Sequence, residues 1–154
     1  MWFKIKVSLF VLVIFSIVTS VKVSSNANGS PGNYSGVNGS NCTSCHSTYP
    51  LNTGGGAVVI TMIDSSGNID STYIPGKKYT VTIKVKRSGS LRWGFAAAAK
   101  TVSGTTLNFS KLSGNTKINS GYATQSNDLT DSFALSWTAP VKGTGDVNIY
   151  ACGN

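Results

Sequence analysis

The 154 residues carry 13 Lys and Arg against 5 acidic side chains, all aspartate, and a single histidine, for a formal net charge of +8. A chain of this length builds one core rather than several. With no glutamate, scattered aspartates and one histidine, it offers no acid–base constellation for hydrolysis or group transfer, so it is not read as an enzyme.

The chain opens MWFKIKVSLFVLVIFSIVTSVKVSS: Lys4 and Lys6, an apolar run from Val7 to Val21, then small and polar residues. That order is a secretory signal peptide, predicted over residues 1–20 with an alternative end at 27. The run is shorter than the ~20 apolar residues of a membrane span. The mature chain is therefore expected to be exported, whether periplasmic, at the cell surface or extracellular, with no stable membrane span. Loss of residues 1–20 leaves 11 basic and 5 acidic residues, a net of +6. Lys78, Lys84 and Lys86 fall on the polar side of an alternating stretch, which reads as a solvated face, and no nucleic-acid partner is expected.

Residues 24–41, SSNANGSPGNYSGVNGSN, are Gly, Ser or Asn at 14 of 18 positions. With no apolar face to bury, residues 21–41 are predicted to be a flexible lead that the core does not need. The sequons at Asn28, Asn33, Asn38, Asn41 and Asn108 read as chance products of an Asn- and Ser-rich composition.

Next comes NCTSCHS, with two of the three cysteines and the histidine. Cys42-x-x-Cys45-His46 has the spacing of c-type haem attachment. Two thiols three positions apart can form thioethers with the two vinyl groups of a porphyrin, and the adjacent imidazole then reaches the iron as proximal ligand. Structural zinc asks for about four ligands, and no second knuckle follows. A thioredoxin-like pair would follow a strand and open a helix, whereas this one follows a glycine-rich stretch. A Cys42–Cys45 disulfide suits an exported protein and stays as the alternative, although it gives the histidine no role.

From residue 55 the apolar period becomes two. In KKYTVTIKVKR, Tyr79, Val81, Ile83 and Val85 share one face, with Thr80, Thr82, Lys84 and Lys86 on the other. Further strands are predicted over 57–64, 91–100, 105–111, 132–139 and 145–151. In FAAAAK, four small residues are too few to nucleate a helix, and the stretch reads as a close-packed strand. Trp93, Phe95, Phe133, Leu135 and Trp137 are the expected core. The pattern is all-β: an antiparallel β-sandwich over residues 42–154 that includes the CxxCH segment.

GSPGNYSG, CTSCH, PGKKYTVTIKV, RWGFAAAAK, SWTAP and GTGDVNIYACGN, in that order, resemble the reeler-like (choice-of-anchor) domains of secreted bacterial proteins of the Bacteroidetes type, over residues 29–154. The resemblance implies an immunoglobulin/reeler-like β-sandwich with one covalent haem c. Cys42 and Cys45 would be its attachment thiols and His46 its proximal iron ligand. Such domains often carry a second histidine before the WTAP strand. Here GYATQSNDLTDSFALSWTAP has none, so Met62, the one methionine outside the leader, becomes the candidate sixth ligand. Its strand parity with Val58 and Ile60 also suits a core filler. Cys152 is expected to be a partly buried free thiol. The function expected from all this is one-electron transfer with a redox partner protein or extracellular acceptor. The alternative is a non-redox cell-surface binding or structural module.

Overall fold

The structure, a computed structural model, describes residues 26–154; the export signal read over residues 1–20 lies outside the described residues. Among the described residues, no helix is long and apolar enough to cross a membrane. A 3-10 turn, Cys42–Ser44, precedes β1 (Ala57–Ile63), β2 (Lys78–Lys86), β3 (Phe95–Thr101), β4 (Thr106–Leu107), β5 (Phe109–Lys111), β6 (Thr116–Asn119), β7 (Tyr122–Gln125), β8 (Ser132–Thr138) and β9 (Val147–Gly153).

These strands make two antiparallel sheets. One runs β1-β2-β8-β5. In the other, β9 pairs with β3 along its whole length, from Phe95↔Gly153 to Thr101↔Val147. The opposite edge of β3 is shared, with β7 against Ala96 and Ala97 and β4 against Ala99 and Lys100. The expected β-sandwich is what the chain forms.

The alternation in β2 sends Tyr79, Val81, Ile83 and Val85 inward, and β8 adds Phe133, Leu135 and Trp137. Phe95 and Phe133 stack across the core with ring centroids 4.4 Å apart, and Tyr73 meets Trp137 edge-on at 5.7 Å. Each such side chain contributes about 1.5–3 kcal/mol by leaving water. FAAAAK is a strand, as predicted. The stretch predicted as one strand over 105–111 is two: at Asn108 the chain passes from one sheet to the other, leaving β4 and β5 on opposite layers. The β6–β7 hairpin was not legible. Gly121 closes it with φ +77, where a side chain would be strained.

Of the lead predicted over residues 21–41, residues 21–25 lie outside the described residues and residues 26–41 are hydrogen-bonded to the sheet. Ser30 N donates to Thr124 Oγ1 at 2.8 Å, Gln125 Nε2 to the Asn26 carbonyl at 3.2 Å, and Tyr122 OH to the Ser30 carbonyl at 3.2 Å. Lys117 Nζ also reaches the Asn28 carbonyl. Ser35 is 2% exposed. Facing residues of paired strands share a side of the sheet. Phe95, Ala97 and Ala99 point into the sandwich, while Ala96 and Ala98 point away from it yet are each 1% exposed. Residues 26–41 lie on that outer side as a third layer. They are held by backbone and side-chain hydrogen bonds rather than an apolar stripe, and composition alone does not reveal such bonds.

The β1–β2 connection is closed by Asp64. Its Oδ1 accepts from Ser66 N at 2.8 Å and Asn68 N at 3.0 Å, and its Oδ2 lies 3.0 Å from Lys77 Nζ. The Asn68 amide first, then the Lys77 ammonium, hold its carboxyl down to about 2. An aspartate in the unfolded chain titrates near ~3.9. The stabilisation is therefore present above about pH 4 and lost as pH falls towards about 2. Asp64→Ala should lower the melting temperature at pH 7, and the gap from the parent should close between pH 4 and 2, as followed by circular dichroism.

Thr124 ties the layers together, because its hydroxyl accepts from Ser30 N and donates to the Phe95 carbonyl at 2.7 Å. Thr124→Val keeps the shape and strands both partners. It should cost about 1–3 kcal/mol in denaturant unfolding and remove amide-exchange protection at Ser30.

Candidate functional site

The CTSCH segment is coiled by its own polar groups. Asn41 is extended at φ −138, and its Oδ1 accepts from Thr43 N at 2.9 Å and Thr43 Oγ1 at 2.6 Å. This is the N-cap arrangement, in which a side-chain oxygen satisfies an orphan amide of the turn. The Cys42 carbonyl then accepts from Cys45 N at 3.2 Å and His46 N at 2.9 Å. One turn of chain thus brings Cys42, Cys45 and His46 to the rim of one cavity.

That cavity, about 120 Å3, is shared with Pro31, Tyr34, Trp93 and Gln125. At its edge Arg92 Nη1 lies 2.7 Å from Asp128 Oδ1, and Trp93 N donates to the Asp128 carbonyl at 3.0 Å. On the other side of the turn is a cleft of about 520 Å3, within the ~300–1,000 Å3 typical of cofactor sites. Cys42 and His46 line it with Leu51, Val58, Val85 and Ala151, and Lys86 and Arg87 stand on its wall.

The two motif thiols face different neighbours. Cys42 sits beside Cys152 of β9 on the wall of the larger cleft, near enough for the two sulfurs to share a proton. This sharing pushes the Cys42 thiol up, with burial adding to the effect, and lowers Cys152 to about 6 against its own desolvation. Cys45 is exposed and sits beside Tyr34, whose phenol it pushes above the ordinary range by charge and by a hydrogen bond. His46 is exposed. Asn154 Nδ2 lies 3.4 Å from its Nδ1 and 3.3 Å from its Nε2. Asn154 is itself fixed by paired backbone bonds with Gly94 at 2.8 and 3.0 Å.

Met62 is not brought to this site. It pairs with Val81 and packs against the core, four residues beyond Val58, or about 13 Å further along the strand. Cys152 is a partly buried free thiol, as expected, with Cys42 as its neighbour. Tyr34, Asn154 and the Arg92–Asp128 pair were missed by the sequence reading. Only proximity in the fold selects them. Among the described residues, no three His, Cys, Asp or Glu side chains converge as a metal-ion site.

No family model matches the chain, and no curated protein does. Solved structures to which it is similar include the human F-spondin reeler domain (fragment 1), 22% identical at a TM-score of 0.49, covering 60% of this chain and 72% of that one. The Reelin-N domain of F-spondin is 23% identical at a TM-score of 0.48, covering 60% and 69%.

In the fully reduced chain, Cys152 should react with iodoacetamide along a pH profile whose midpoint lies at about 6. Protonation below that pH slows the reaction. Cys42→Ala removes the shared proton and should move the midpoint up towards the ordinary thiol value of ~8.5.

Proposed function

We propose that this is an exported, reeler-like protein carrying one covalent haem c, and that it passes single electrons to or from a redox partner protein or extracellular acceptor. The observation that carries this reading is the placement of Cys42, Cys45 and His46 on one capped turn at the rim of two cavities. Cys42 and Cys45 would hold the group through thioethers, and His46 would ligate its iron. When bound, haem c supplies a one-electron iron couple.

The surrounding residues suit that cargo. The larger cleft, lined by Cys42 and His46, offers Leu51, Val58, Val85 and Ala151 as apolar wall and Lys86 and Arg87 as cations for carboxylate groups, while Cys45 reaches the group from the rim of the smaller cavity. With one imidazole nitrogen of His46 on the iron, the other would carry a proton and donate, and the neighbouring Asn154 carboxamide could present its oxygen to accept it. Met62 packs against the core and would not be among the residues that hold the group.

Protein made with a cytochrome c maturation system should exceed the mass of the processed chain by one haem. A chain lighter by only two hydrogens would overturn the proposal. Met62→Leu should leave the visible spectrum of the oxidised protein unchanged and cyanide binding intact, whereas loss of a thioether–iron band would assign Met62 to the iron.

A further inference from the structure

We infer that, before any cofactor is attached, Cys42 and Cys152 form a disulfide that clamps the CTSCH turn to the outer face of the five-stranded sheet. Both sulfurs stand on positioned elements. Cys152 lies opposite Ala96 in the β3–β9 ladder and so points to the outer side. There Cys152 and Cys42 line the same cleft, and the Gly36 backbone comes close enough that a Cβ there would lie 4.0 Å from the Cys152 sulfur. The turn bearing Cys42 is capped by Asn41 and stitched by its own carbonyl bonds. Cys45, the nearer cysteine in sequence, is exposed and lines the smaller cavity with Tyr34, away from the cleft that Cys42 shares with Cys152. The fold thus favours the distant partner over the adjacent one.

The step balances with a small-molecule disulfide such as oxidised glutathione as oxidant. The Cys152 sulfur attacks it, forming a mixed disulfide and releasing one glutathione thiolate. The Cys42 sulfur then attacks the Cys152 sulfur, forming the protein disulfide and releasing the second thiolate. Two thiol protons are lost, and two electrons pass to the oxidant. Exported proteins meet such oxidising surroundings. The bond also makes Cys42 unavailable for a thioether until a dithiol reductant returns both sulfurs to thiols; this consequence alone rests on the function proposed above.

The test uses the full processed chain made without haem maturation, incubated with oxidised glutathione, alkylated with iodoacetamide and digested without reduction. The expected map shows Cys42 linked to Cys152 and Cys45 alkylated, with the link kept in Cys45→Ala and lost in Cys152→Ala. The linked chain should melt about 10 °C or more above the reduced chain, because the closed loop is long. A predominant Cys42–Cys45 link, or three alkylated thiols, overturns the inference. Failure to load haem in a maturation host overturns the proposed function and leaves this map unaffected.

Discussion

The middle strand of the five-stranded sheet is covered on both faces, and side chains as small as alanine are what make that arrangement compact. Ala97 and Ala99 face the aromatic core built on β2 and β8, while Ala96 and Ala98 lie beneath the segment that carries the cysteine motif. A larger side chain on the outer face would lift that segment off the sheet, because a close-packed interior has no slack to absorb it. Glycines continue the same economy of space. A Cβ on Gly29 would stand 2.4 Å from the Gln125 carbonyl oxygen, and one on Gly94 would stand 2.9 Å from the Gln125 side-chain amide.

The CTSCH turn inherits its surroundings from this thinness. It lies where β3 begins and β9 ends, and β9 reaches across to the other sheet. A Cβ on Gly153 would fall 2.6 Å from Val85 Cγ2 and 2.9 Å from Val58 Cγ2. The larger cleft is therefore walled by both sheets, with Val58 and Val85 from one and Ala151 from the other. Backbone bonds between Asn154 and Gly94 fix the rim against which His46 rests. Cys45 and His46 are exposed and Cys42 is half-buried, and backbone hydrogen bonds hold the surface they stand on.

What could be read in advance followed from periodicity and spacing. β2 declares its two faces in KKYTVTIKVKR, and CTSCH declares a thiol–thiol–imidazole set without help from the fold. Strand parity also placed Met62 on the inward face, but parity does not say how far along the strand a residue stands from a distant turn. The docking of residues 26–41 was hidden because backbone amides and carbonyls do the holding, and these have no sequence signature. β6 and β7 carry too few apolar residues, chiefly Ile118, Tyr122 and Ala123, to show an alternation. The meeting of Cys42 with Cys152 depends on the β3–β9 register, which no local pattern encodes.

The bonds of the outer layer join residues remote in the chain: Ser30 and Thr124 are 94 positions apart, and Asn26 and Gln125 are 99. Contacts of such separation form late, since the loop they close is entropically costly until the sheets it docks upon exist. The segment bearing Cys42 and Cys45 must therefore wait, open to solvent, while β3, β7 and β9 assemble beneath it. The order of assembly thus sets a time window: any enzyme that modifies these thiols meets them most freely on the nascent, half-built sandwich. Slowing the pairing of β9 with β3 would lengthen that window without altering a single atom of the finished site.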